Sequence, residues 1–221
     1  MKNHYSIATK FWKSREEYPS YPNLAERRLI DIGYIISKVS SEKSVLDLGC
    51  GDGSILLCLR EFTSIKIFYG CDINSELLRE LVDRWGWNTN TDVLTIDEDL
   101  TNLSELPIVD VTLSLGSFPY IFDINDLKNI LKAVTSNVLI VRVPCTLKDK
   151  DEFINKFSKD LGDYYAAVYR TVSSYEKLFS KYFTVKEIVR AYPDEIESKY
   201  GTKHFFFYMK KNKGDDINEE K

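Results

Sequence analysis

Hydrophobic and polar positions along this chain recur at two periods in turn, and the changes of period lay out its elements. Leu24, Ile30, Ile32, Ile35 and Ile36 keep helical spacing from residue 24 to about Val39, and Asn23 with Glu26 predicts a capping box at the start of that helix. Val45, Leu46 and Leu48 make a short apolar strand, after which Ser54-Ile55-Leu56-Leu57 opens a helix. Ile65 to Ile73 predicts a second strand. Glu76 to Trp85 predicts a helix capped by Asn74 or Ser75 and stopped by Gly86. Val93–Ile96 and Val109–Leu115 read as strands, Asp126–Val134 as a helix, and Asn137–Val143 as a buried strand closed by Pro144. A helix over Tyr175–Tyr182 and strands over Thr184–Ala191 and His204–Met209 complete the series.

Strand and helix alternate at the spacing of right-handed crossovers, so the fold class is α/β. The expected architecture is a three-layer sandwich around a mostly parallel seven-stranded sheet. The final two strands, joined by the polar stretch Tyr192–Lys203, predict an antiparallel hairpin at its C-terminal edge. Residues 1–23 are aromatic and irregular, with prolines at 19 and 22; residues 24–209 form the domain; residues 210–221 are expected to be a disordered charged tail.

At 221 residues the chain fits one domain with a full core. Its net charge of −4 supplies no overall basic field for a nucleic-acid backbone or an anionic membrane, although local basic grooves stay open. No apolar run approaches the roughly 20 residues needed to span a bilayer. The N-terminus, with Lys2, His4, Lys10 and Trp12, lacks a signal-peptide core. Cys50, Cys58, Cys71 and Cys145 form no C-x-x-C pair and are joined by only two histidines, so no metal site is expected. Free thiols and a cytoplasmic location are the corresponding expectations.

The chemistry concentrates in Val45-Leu46-Asp47-Leu48-Gly49-Cys50-Gly51-Asp52-Gly53. Strand, glycine turn and helix let backbone approach a ligand closely. The spacing is G-x-G-x-G, not the G-x-G-x-x-G that seats a pyrophosphate, and Asp47 and Asp52 would repel a diphosphate. A ligand with an ammonium group and no phosphate suits this turn better. Ile65 to Ile73 then places Asp72 at a strand end about 20 residues past the glycines, as in dinucleotide folds. A dinucleotide-binding or plain βα turn is the alternative reading.

These two stretches together resemble the class I S-adenosylmethionine-dependent methyltransferases, a likeness that extends over residues 24–209. The resemblance implies S-adenosyl-L-methionine as cofactor. It implies that Gly49, Cys50, Gly51 and Gly53 lie against its methionine part, that Asp47 stands near its ammonium and that Asp72 takes the ribose diol. It further implies Ile73 on the adenine face, Asp99 (or else Asp97) with Leu100 at the adenine edge, and Leu115 beside the cofactor. Residues 1–23 would then act as a lid; covering a sheet edge is the equal alternative.

The acceptor end is less legible. Ser117-Phe118-Pro119-Tyr120 keeps only the Pro-Tyr of the Asn/Asp-Pro-Pro-Tyr/Phe pattern of amino-group methyltransferases, and resembles more the looser Ser-Leu-Gly motif of small-molecule enzymes. Tyr120, Tyr169, Arg170 and His204 are the catalytic candidates; Arg142, Tyr164, Tyr165 and His4 are further substrate contacts, and no base follows from a motif. Aromatics and an arginine in Tyr164–Arg170 suit a sugar, a phosphate or a nucleotide-linked group; with no nucleic-acid-binding face and no membrane partner expected, a small-molecule acceptor that is a sugar or glycan-linked intermediate is favoured. Tyrosines covering a sheet edge would leave the same pattern. A protein or RNA methyltransferase, a non-catalytic cofactor-binding subunit and an aminopropyltransferase are the competing functions.

Overall fold

The computed structural model describes residues 2–14, 23–39, 41–85, 92–97, 99–103, 105–158, 163–197 and 201–212. Five strands run parallel: β1 (Ser44–Leu48), β2 (Ile67–Asp72), β3 (Asp92–Asp97), β4 (Val111–Leu115) and β5 (Val138–Thr146). β8 (Phe183–Arg190) and β9 (Thr202–Lys211) close the edge, β9 pairing antiparallel with both β5 and β8. The strand order is β3-β2-β1-β4-β5-β9-β8, seven strands as expected. A separate hairpin of β6 (Glu152–Ser158) and β7 (Asp163–Tyr169) stands apart from this sheet.

The two faces of the sheet take alternate side chains. Leu46, Leu48, Leu139 and Val141 pack under α5 (Ile124–Ala133) and α6 (Val172–Phe179). Val45, Phe68, Val111 and Ile140 pack under α2 (Leu24–Lys38), α3 (Ser54–Phe62) and α4 (Ser75–Trp85). All five residues of β1 are buried, as a central parallel strand covered on both faces must be. The order of connection reverses between β1 and β4, so the crevice at their carboxyl ends is the switch point where such sheets take ligands.

Several local expectations are corrected. The segment read as irregular contains a helix, α1 (Lys2–Lys13), because Ala8 and Phe11 bury one face against the β6–β7 hairpin with Phe122, Ala166 and Val168. Asn23 builds no capping box: it sits in the left-handed region (φ 58°), where its amide donates to the Ile196 carbonyl (3.4 Å). Pro144 does not end β5, which continues to Thr146. β4 stops opposite Arg142, and beyond that point one flank of β5 has no strand needing a donor. The β6–β7 hairpin was not foreseen as strands, and β9 takes in Lys210 and Lys211, the first two residues of the expected disordered tail. Asn74 does cap α4, its side-chain oxygen accepting from the Glu76 and Leu77 amides (3.1 and 3.2 Å). The Gly86 stop, Pro19, Pro22 and residues 213–221 lie outside the described residues.

At the head of α3, Gly53 has φ 68°, and a Cβ there would stand 2.1 Å from Leu81 Cδ1 on α4. A Gly53→Ala exchange therefore combines the left-handed penalty of about 1–2 kcal/mol with overpacking of about 1–3 kcal/mol. The unfolding free energy from urea titration is expected to fall by roughly 2–5 kcal/mol at unchanged denaturant slope; a loss of only about 1–2 kcal/mol would show that Leu81 yields freely, and one below about 0.5 kcal/mol that neither cost is met.

Candidate cofactor and acceptor site

The turn after β1 is held open from both sides. The Gly49 and Cys50 amides donate to the Cys71 carbonyl (2.7 and 3.0 Å), and the Gly51 amide donates to Asp72 Oδ2 (2.8 Å). From the other flank the Ser117 hydroxyl donates to the Leu48 carbonyl (2.9 Å) and meets Ser114 Oγ (2.7 Å). Gly49, at φ 79°, has no room for a side chain, since a Cβ would lie 2.6 Å from Ser117 Cβ. Main chain is thus the surface this bend presents. Asp52, also in the lining of the cavity above the bend, pairs with Arg28 (2.9 Å) and accepts from the Ser54 amide (3.1 Å).

A cavity of about 1100 Å³ opens over this bend. Asp47, Gly49, Cys50, Gly51, Asp72, Ile73, Asp99, Leu100 and Leu115 all line it, so nine of the ten positions the resemblance named for the cofactor converge. The tenth, Gly53, shapes the head of α3 and lies outside the lining. Asp72 was read as a free grip for a sugar diol, yet Oδ1 also accepts from the Asn74 amide (3.0 Å), so this carboxylate organises the bend itself. Asp99 caps a short 3-10 turn through the Thr101 amide and hydroxyl (both 2.9 Å). The side chain of Asp97 lies outside the described residues.

Asp47 is 2% exposed, and its Oδ1 has no hydrogen-bond partner among the described residues. Burial, then the neighbouring Asp72 carboxylate, pushes its carboxyl up to about 7, against the pull of Arg142. A sealed carboxylate with an unmatched oxygen, beside bare main chain, fits a ligand ammonium and no phosphate. The donor set therefore suits the amino-acid part of S-adenosylmethionine.

The other end of the cavity is aromatic and roofed. Trp12 of α1 stands edge-on to Tyr120 (5.0 Å between centroids), and Tyr120 to Tyr165 of β7 (5.9 Å). Tyr165 and Tyr169, on one face of β7, bring their hydroxyls to 2.8 Å, and burial holds the Tyr169 phenol above its usual range. Of the four catalytic candidates Tyr120, Tyr169 and His204 line the cavity. Arg170 does not. It is 3% exposed and donates to the Ile121 and Phe122 carbonyls (2.8 and 3.3 Å), bracing the chain beyond β4. Tyr164 is 60% exposed, and the side chain of His4 lies outside the described residues.

Sequence reasoning missed a polar group between α2, β5 and the segment after β8. Asp31, 4% exposed, accepts from the Tyr192 hydroxyl (2.8 Å) and pairs with Arg142 (3.3 Å), whose Nη2 donates to the Leu115 carbonyl (2.8 Å). An aspartate one turn before Ile35 on an apolar stripe was the available signal. Glu197, in the polar stretch before β9, gave none.

Comparison with known proteins meets this geometry. A family model described as a methyltransferase domain matches residues 45–138. A protein-lysine N-methyltransferase of Saccharolobus islandicus is 38% identical over 63 residues, 28% of this chain, and the match spans 37% of that protein's length. An S-adenosylmethionine-dependent methyltransferase of Clostridium acetobutylicum superposes with a TM-score of 0.61 at 19% identity, over 85% of this chain and 92% of that one. The 1,6-didemethyltoxoflavin-N1-methyltransferase of Burkholderia thailandensis, solved with 1,6-didemethyltoxoflavin and S-adenosylhomocysteine, gives 0.59 at 14% identity, over 84% and 78%. The superpositions carry the fold, and the family model covers the glycine bend together with Asp72 and the Asp99 turn. With a sheet of this order, a bend of this shape and a methyltransferase-domain match over residues 45–138, the chain has the fold of the class I S-adenosylmethionine-dependent methyltransferases and is similar to them through the stretch that builds the bend.

Proposed function

We propose that this protein transfers a methyl group to a small molecule, a sugar or glycan-linked intermediate, held beneath α1. The observation that carries the reading is the continuity of one cavity from the unmatched Asp47 oxygen to the rings of Trp12, Tyr120 and Tyr165. Asp47 receives the cofactor's ammonium, Gly49 and Gly51 offer main chain, and Asp72 takes the ribose while tying the Gly51 amide. Ile73 and Leu100 flank adenine, with Asp99 at its edge. Bound there, the cofactor supplies a sulfonium methyl already activated for in-line displacement, so the protein's chief task is alignment. α1 serves as the lid that excludes water. Aromatic faces with nearby hydroxyls, as at Tyr165 and Tyr169, suit the alternating apolar and polar surface of a sugar ring.

The Saccharolobus relative favours a second reading, transfer to protein lysine. An extended peptide needs an open groove, and α1 with the β6–β7 hairpin covers the acceptor end here. Radiolabel from S-adenosylmethionine is expected in sugar nucleotides or glycan precursors; label confined to protein or RNA would overturn the proposal. Cofactor uptake without turnover on any acceptor would favour a partner-subunit role.

Two binding measurements test the cofactor end. Hydrogen bonds to a charged group contribute about 1.5–3 kcal/mol each, so Asp72→Ala should weaken S-adenosylhomocysteine at least ~100-fold by calorimetry. Unaltered affinity would remove Asp72 from the site. Asp47 gives a proton-linked signature: its folded carboxyl sits near 7, above the unfolded value, so the folded protein holds a proton the unfolded chain has released. Its contribution to stability therefore falls as pH rises from about 4 toward 7, by at most about 1.4 kcal/mol per unit. An ammonium beside it reverses the preference, and S-adenosylhomocysteine should release a proton on binding near pH 6. The heat should then vary with buffer ionisation enthalpy in the wild type and not in Asp47→Asn.

A further inference from the structure

We propose that His204, oriented by Glu197, is the general base for a hydroxyl acceptor, which makes the enzyme an O-methyltransferase. This rests on the small-molecule reading above and names its acceptor atom. His204 opens β9 opposite Pro144, at the carboxyl end of β5, and lines the same cavity as Asp47 and Gly49. Glu197 is fully buried at its side chain, and its Oε1 accepts both the His204 main-chain amide and the ring Nδ1 (3.0 Å). A carboxylate can only accept, so the hydrogen resides on Nδ1 and Nε2 keeps its lone pair.

The surroundings keep this ring neutral. Arg190 (3.0 Å) and Lys203 (3.6 Å) stand on the Glu197 carboxylate, and Arg190 and Lys203 also pair with Asp194 (the latter at 2.7 Å). Glu197 is thus already balanced: it fixes the ring's orientation without drawing a second proton onto it. Arg27 and Asp31 of α2, Arg142 of β5 and Tyr192, whose ring lies 5.2 Å from the imidazole, complete the charged and titratable neighbours. Burial first, then Arg142 and Arg27, push His204 down to about 4 against the pull of Glu197. A neutral amine attacks with a free lone pair and can shed its proton afterwards, whereas a hydroxyl gives up its proton as it attacks and is served by a base in contact with it.

In the transfer, Nε2 takes the hydroxyl proton as the oxygen's lone pair forms the bond to the methyl carbon. The carbon–sulfur bond breaks with its electron pair remaining on sulfur, leaving a neutral thioether, and the imidazolium returns its proton to water. The oxygen becomes strongly acidic as the new bond forms, so an imidazole of low basicity suffices.

The chain has only two histidines, His4 and His204, which makes the ring observable in the intact protein. Nitrogen-15 NMR, assigned with a His4→Gln variant, should show His204 neutral and hydrogenated on Nδ1 from pH 5 to 8. An imidazolium at pH 7, or hydrogen on Nε2, overturns the proposal without any need for a substrate. With a hydroxyl acceptor, His204→Gln should lower kcat about 100-fold or more while S-adenosylhomocysteine affinity stays within about threefold. Glu197→Gln, a change at a positioning residue, should mix the two tautomers and lower kcat by a smaller factor. Undiminished kcat in His204→Gln, or wild-type transfer to amines alone, overturns the base and leaves the small-molecule reading standing. Label confined to protein overturns that reading itself.

Discussion

A carboxylate sealed at the end of the central strand, with one oxygen unmatched, is the constraint around which the upper face of this sheet is arranged. Asp47 lies among residues that a parallel sheet buries on both sides, where an unpaired polar atom costs on the order of 1–3 kcal/mol. Its neighbours do little to relieve it: Asp72 raises its carboxyl further, and Arg142 is drawn toward Asp31 and the Leu115 carbonyl. Asp47 is thus a destabilised group, which under the proposed function a cationic ligand relieves. Binding energy is stored as desolvation already incurred in folding, so the ligand need not meet that cost again.

The bend above Asp47 can exploit this because it is fixed from two strands. Asp72 ties the Gly51 amide from β2, and Ser117 ties the Leu48 carbonyl from the far side of the switch point. The absence of a side chain at Gly49 is what allows the two turns to meet. Asp72 orders the turn, and in the proposed reading that duty is coupled to meeting the sugar diol. A carboxylate already held by the Gly51 and Asn74 amides is oriented before any ligand arrives, which lowers the entropic cost of gripping it.

The sheet and the cofactor end were legible because their signals are local. Glycines at φ 79°, 54° and 68° were readable as a turn that other residues resist, and strands buried on both faces write themselves as apolar runs. What was not legible depends on contacts far along the chain. α1 looked irregular because among its described side chains Ala8 and Phe11 alone are buried, and they meet β7 more than 150 residues away. Arg170 looked like a substrate contact because arginines usually are exposed; its partners are main-chain carbonyls near residue 121, which no spacing rule reveals. Pro144 looked like a stop because the rule for proline assumes a paired neighbour on each flank, and β4 ends two residues too soon for that. The fold agreed with local preference nearly everywhere, and the departures gather around the cavity.

That gathering has a structural reason. The cofactor end is built from one contiguous stretch, and the family model matches residues 45–138, which contain it. Apart from Tyr120, the acceptor end is assembled from α1, the β6–β7 hairpin, the stretch around Tyr192–Glu197 and the start of β9, four pieces that lie outside those bounds. Each piece is free to vary so long as the sheet edges stay covered, because none of them holds the bend. Fold comparison at 14–19% identity therefore carries the sheet and its switch point and says little about the recipient. The side chains around that end are an aromatic wall of Trp12, Tyr120 and Tyr165, a charged pair of Asp31 on α2 with Arg142 on β5, and the His204 imidazole hydrogen-bonded to Glu197. A change of acceptor in this architecture requires repacking the roof and edge alone, with Asp47, Gly49 and Asp72 left as they are.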